Sequence, residues 1–235
     1  MVSPLYLAMT GAEISNQASL PAPLAYMACS FSAYTQGLSG IPAHLPSGSM
    51  LILNDRMRCQ GHSPALVVDQ LQEAITRLEC ESLLLDFQQP PEPESEAMAR
   101  MIIQSLSCPV TVTAPFADCL GCPVFLSPAP LQIPLEEYLA PWKDREVWLE
   151  AALEQTDIVL TAEGCSATIQ FPPEQLQGGF YEETLCCQYR TKADSDSIRF
   201  TLFDTRESLK KKLEHATSLG VVRAVGLWQE LGNFP

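Results

Sequence analysis

Three consecutive leucines, Leu83-Leu84-Leu85, followed at once by Asp86-Phe87-Gln88-Gln89-Pro90, constrain this chain most. A short unbroken apolar run bounded by polar and turn residues reads as a strand buried on both faces, which is the pattern of a parallel sheet covered by helices. In such folds ligands bind at the carboxyl ends of the strands. The two-residue period of a strand puts Leu84, Asp86 and Gln88 on one face, so this strand end is where chemistry is expected.

The neighbouring segments agree with a parallel arrangement. Met50–Asp55 reads as a strand, Ser63-Pro64 as a helix start with a hydroxyl cap and proline in the first turn, and Val67, Val68, Leu71, Ala74, Ile75 and Leu78 as its buried stripe. A helix after Pro91, with Met98, Met101, Ile102 and Leu106 inward, and a strand at 108–113 repeat the unit. Upstream, Pro4–Thr10 and Leu24–Phe31 read as strands joined by a segment without helical period. Downstream, Pro123–Ser127 follows a loop too short for a full helix, Pro134–Trp142 suits a short helix, and Val147, Leu149, Ala151 and Leu153 alternate as in a strand or, as an alternative, a helix. From Asp157 the pattern becomes antiparallel. Ile158–Thr161 with Cys165–Phe171, and Leu185–Tyr189 with Ile198–Phe203, read as two hairpins. Asp204 and Glu207 then have the spacing of a capping box for a helix to Leu219, which Gly220 ends before a strand over Val221–Trp228. The Lys210–Lys212 run reads as that helix's solvated face.

Charge and cysteine usage exclude several functions. The 28 acids against 14 bases give a formal charge of −14, which repels phosphate backbones and anionic lipid, so neither nucleic acid nor a membrane is an expected partner. No window approaches the roughly 18 apolar residues of a membrane span. The N-terminus lacks the basic and apolar regions of an export signal, so a cytoplasmic protein is expected. Nine cysteines, an odd number scattered singly, suit reduced thiols. Cys59-Gln-Gly-His62 and Cys119-Leu-Gly-Cys122 have the spacing of half zinc sites. The first follows a strand and the second precedes one, which in a barrel places them near opposite ends; no metal or other cofactor is expected.

Glu81–Gln88 resembles the fourth-strand signature of glycoside hydrolase family 18, the chitinase family, DGxDxDWE. Asp86 stands at its last aspartate, Phe87 at the aromatic and Gln88 at the catalytic glutamate, while Glu81 and Leu84 stand at the other two aspartates. AYMACSFSAYTQG followed by MLILND is similar to strands two and three of the bacterial spore-cortex branch of that family. IRFTLFDTRESLKKKLEHATSLGVVRAVGLW is similar to its last helix and strand, with Trp228 at the tryptophan that floors the sugar subsite.

The resemblance implies a reduced (β/α)8 TIM barrel spanning residues 1–235 as one domain, with outer helices missing near the N-terminal strands and an antiparallel insertion at about 157–203 before the last βα unit. It implies a partner glycan containing GlcNAc, such as peptidoglycan, an association with the spore, and site residues Asp86 and Gln88 with Trp228, Asp55, Ser32, Tyr34 and Glu230 around the mouth. The family retains configuration by using the substrate's own N-acetyl group as nucleophile, with one carboxylic acid protonating the leaving oxygen. A carboxamide cannot release that proton near neutral pH. The sixth strand also ends in Ser127-Pro128, where the family has a tyrosine-aspartate pair. The expectation is a catalytically impaired, carbohydrate-binding chitinase-like protein. The alternatives are a hydrolase in which Asp55, Glu150 or Glu230 replaces the acid, and a structural barrel that binds a partner.

Overall fold

The computed structural model describes residues 4–170, 176 and 178–232, and only the backbone of Cys119. The first strands are β1 (Leu5–Met9), β2 (Leu24–Phe31), β3 (Leu38–Ser39), β4 (Met50–Asn54), β5 (Ser82–Asp86), β6 (Val110–Thr113), β7 (Val124–Leu126) and β8 (Val147–Ala151). Then come β9 (Gln155–Thr161), β10 (Gly164–Ile169), β11 (Phe180–Glu182), β12 (Cys187–Ala193), β13 (Ser197–Phe203) and β14 (Val221–Leu227). Strands β1, β2, β4, β5, β6, β7, β8 and β14 are parallel neighbours, and pairing of β1 with both β2 and β14 closes them into a barrel. Met50–Asn54 and Ser82–Asp86 lie side by side in unbroken parallel register. This is the reduced (β/α)8 barrel expected from the sequence.

The outer layer is uneven. Helices α1 (Gly11–Ser15), α2 (Pro64–Leu78), α3 (Pro93–Ser105), α4 (Ala114–Leu120), α5 (Leu135–Leu139), α6 (Arg206–Ser218) and α7 (Trp228–Leu231) fill it, with a 3₁₀ turn at Ala140–Trp142. Where the sequence shows no helical period, α1 still forms one turn, because Thr10 and Glu13 cap it reciprocally. Likewise α4 occupies the segment read as a loop, ending at Gly121 in the left-handed conformation. Two side chains depart from the expected stripes: Met101 of α3 is 41% exposed, and Lys212 of α6 is buried. No helix among the described residues is long and apolar enough to cross a membrane.

The strand period sorts the barrel's residues. Tyr6, Ala8, Ala25, Met50, Ile52, Leu84, Phe125, Trp148 and Val225 fill the interior, with Trp148 fully buried. Their neighbours in sequence, such as Leu51, Leu53, Leu83, Leu85 and Leu149, pack outward under the helices. The two hairpins expected after Asp157 are instead one five-stranded antiparallel sheet in the order β10-β9-β13-β12-β11, since β13 pairs with β9 as well as β12. Phe171, expected in the first hairpin, lies outside the described residues.

The start of α6 differs from its sequence reading. Thr205, one residue later than expected, caps the helix by accepting from Ser208 N at 3.1 Å. Asp204 turns inward instead and meets Lys212 Nζ at 2.7 Å, the two side chains 0% and 6% exposed. The lysine run is therefore not wholly a solvated face: Lys212 is its buried member.

Candidate functional site at the barrel mouth

The carboxyl ends of the barrel strands surround a cavity of about 90 Å3, floored by Ala8, Ile52, Leu84 and Phe125 and walled by Met27, Asp86, Gln88, Glu150, Val225, Gly226 and Leu227. Asp86 and Gln88 come to this place because they follow Leu84 on the inward face of β5. Gln88 Nε2 donates to Asp86 Oδ1. Burial raises the Asp86 carboxyl above the usual carboxylate range; the Gln88 amide opposes that shift and nearby Asp55 adds to it.

Glu150 reaches the same cavity from β8, where Trp148 and Glu150 take the inward face that the outward Val147, Leu149 and Ala151 leave to them. Burial, followed by the charges of Asp86, Glu154 and Glu230, pushes its carboxyl up to about 7. Glu154, just past the strand end, is also pushed up to about 7, by burial foremost and by Asp204 and Glu230, against the opposing charge of Lys212. Gly226 permits close approach of β14 to β8, since a Cβ there would lie 2.6 Å from the Ala151 carbonyl.

The other residues expected at the site occupy different places. Asp55 is buried, and its two oxygens accept from Gln88 N and Gln89 N at 2.9 Å each, which fixes the turn that carries Gln88. Glu230 accepts from Leu153 N and so ties α7 to the end of β8; burial raises its carboxyl and that amide opposes the shift. Ser32 is buried in the loop after β2, accepting from Tyr34 N and Thr35 N at 3.2 and 3.1 Å, while Tyr34 itself is 96% exposed. Neither lines the cavity. Trp228 begins α7, half-buried against the outer core, with Gly232 close to its ring. Leu227, one residue earlier, lines the mouth together with Val225 of β14.

One neighbour of the site carries no signal in the sequence. Tyr138 of α5 donates to the Ser127 carbonyl at 2.9 Å, and burial with the charges of Glu154 and Glu150 pushes its hydroxyl up to about 12. A tyrosine thus stands at the end of the sixth barrel strand, delivered by a helix instead of by the strand. Cys59 and His62 are joined through a 3.1 Å contact of His62 Nδ1 with the Cys59 carbonyl. Among the described residues no group of three or more His, Cys, Asp or Glu side chains could hold a metal ion.

Solved structures similar to this arrangement align over nearly the whole chain. The Bacillus cereus spore cortex-lytic enzyme SleL aligns over 99% of this chain and 71% of its own, with a TM-score of 0.55 at 11% identity. A class V chitinase mutant from the plant Cycas revoluta, in complex with (GlcNAc)3, aligns over 95% and 94%, with a TM-score of 0.58 at 10% identity. The fold is that of the family 18 glycoside hydrolases. A chitinase from Chromobacterium violaceum extends the likeness, at a TM-score of 0.51, 9% identity and coverage of 95% and 93%. No protein-family model and no curated protein sequence matches the chain. At these identities the likeness to family 18 is one of fold.

Proposed function

We propose that this chain is a chitinase-like barrel that holds a GlcNAc-containing glycan, of the peptidoglycan or chitin kind, at the mouth of the barrel without cleaving it by the family mechanism. The observation that carries the reading is Gln88 in the cavity wall, its amide bonded to Asp86. A sugar hydroxyl or acetamido group can accept from the amide and donate to the carboxylate, so recognition survives the change from acid to amide. Proton delivery does not. General acid catalysis contributes about 10²–10⁴-fold, and Gln88 has no ionisable proton to give. The apolar floor of Ala8, Ile52, Leu84 and Phe125 suits the CH-rich face of a pyranose ring. Trp228 is proposed as a stacking surface only at the rim, beyond Leu227.

Calorimetric titration with (GlcNAc)4 tests binding. Saturable heat is expected for the wild type, with a dissociation constant of about 1 mM or below, and at least about tenfold weaker binding for Asp86→Ala. Absence of heat in the wild type would remove the glycan reading. Trp228→Phe should retain binding within a few-fold if the ring acts only at the rim.

A second reading is favoured by Glu150. Of the three acids expected to replace the lost one, Asp55 spends both oxygens on backbone amides and Glu230 is bound to Leu153 N, whereas Glu150 lines the cavity with a proton held to about pH 7. A carboxyl that keeps its proton up to about pH 7 in the same cavity as a second carboxyl is the arrangement of an acid-assisted glycosidase. Hydrolysis of chitooligosaccharides that survives Gln88→Ala and disappears in Glu150→Gln would establish this second reading; absence of turnover in the wild type supports the first.

A further inference from the structure

Among the described residues the insertion sheet ends on one side at β10, whose six residues are all exposed. None of the six, Gly164–Ile169, is charged or proline, in a chain of formal charge −14. Sheet edges are ordinarily blunted by brevity, charge, proline or a bulge. The opposite edge, β11, is three residues long and ends in Glu182, and β3 on the barrel is two residues long. By contrast β10 pairs with β9 without a bulge from Gly164↔Thr161 to Ile169↔Thr156, so it presents a regular row of outward N–H and C=O groups. Cys165, Ala167 and Ile169 share one sheet face with Leu160 and Ile198. On that face Ile169 is 66% exposed, Leu160 39% and Ile198 45%.

We infer that a second copy of this chain adds to the sheet through β10, the two strands running antiparallel about a twofold axis at Ala167. A strand paired antiparallel with itself is self-complementary by symmetry. Directly opposite residues share a face, so an axis at Ala167 sets Cys165 against Ile169 of the second copy and Ser166 against Thr168: apolar groups meet apolar ones and hydroxyls meet hydroxyls. Charge selects the occupant. Two copies with a large negative charge repel over most of their surface, but β10 brings no charge into the seam, and it offers a basic partner no carboxylate to meet. A six-residue ladder buries less than the roughly 1,200 Å2 of a standard interface, so the dimer is reversible. The inference rests on the insertion sheet and is independent of what the barrel mouth binds.

Sedimentation velocity up to about 100 µM, a concentration suited to micromolar self-association, is the test. The wild type should pass from monomer to dimer with rising concentration, and Ala167→Lys should remain monomeric with an unchanged circular dichroism spectrum, because this side chain is exposed in the single chain. Ile169→Cys should form a disulfide-linked dimer under mild oxidation by joining Cys165 of the second copy, and the product should vanish in Cys165→Ser/Ile169→Cys. A wild type that stays monomeric throughout, a dimer that survives Ala167→Lys, or cross-linking unaffected by Cys165→Ser would overturn the inference.

Discussion

At the scale of single residues the site turns on one atom. In the proposed reading Gln88 carries an NH2 where an acid would carry an oxygen, and that nitrogen is what contacts Asp86. Replacing it, as Gln88→Glu, puts two carboxyls in contact, and their mutual repulsion raises the proton affinity of one of them. A trace of aryl β-GlcNAc hydrolysis is therefore expected from Gln88→Glu and none above background from the wild type, measured by chromophore release. Restoration to the full effect of a general acid, about 10²–10⁴-fold, is not expected, because the proposed reading leaves Leu84 and Ser127 where assisting polar groups would be needed. Glu150 supplies a separate test in pH. Its carboxyl binds a proton up to about 7 when folded, well above a free glutamate. The folded state thus holds more protons than the unfolded one between about pH 4.5 and 7, and the group costs stability progressively as pH rises through that window. Glu150→Gln should melt higher than wild type at pH 8 and converge with it near pH 4, each kcal/mol recovered raising Tm by about 2–4 °C. A constant difference across the range would exclude this cause. Asp86 and Gln88 are legible in sequence because a strand's two-residue period fixes which side chains share a face. The same period, applied to Val147–Ala151, leads to Glu150. Tyr138 is not legible, since nothing local shows that α5 will lie over Ser127.

At the scale of elements, the start of α6 shows how a local pattern loses to packing. Asp204 has capping spacing with Glu207, yet Thr205 takes the cap and Asp204 forms a buried pair with Lys212. A buried pair adds little net stability over an apolar replacement, but removing one partner leaves an uncompensated charge. Lys212→Met should lower unfolding free energy by about 3–5 kcal/mol in urea titration, and Asp204→Asn/Lys212→Met should recover a large part of it. Equal losses in single and double variants would contradict the pairing. The insertion was only half legible for a related reason. Each strand announces itself by alternation, but the β9–β13 pairing that merges two hairpins into one sheet joins segments distant in sequence. Helix α1 illustrates the opposite limit: one turn is too short to show a period, and its capping box is the whole of its signal.

At the scale of the whole molecule, barrel closure gathers Asp86 from β5, Glu150 from β8 and Leu227 from β14 around one concavity. None of the described residues that line the mouth is basic; Lys212 pairs with Asp204 and opposes the rise of Glu154. A neutral glycan with hydrogen-bonding groups fits that mouth better than an anion. A crystal grown or soaked with (GlcNAc)4 at millimolar concentration and neutral pH measures occupancy and cleavage together. The expected result is an intact oligomer in the barrel mouth, with one sugar within hydrogen-bond distance of both Asp86 and Gln88. A mouth that stays empty at saturating sugar, or one that holds shortened products beside Glu150, would contradict a glycan-binding barrel that has lost the family's proton transfer.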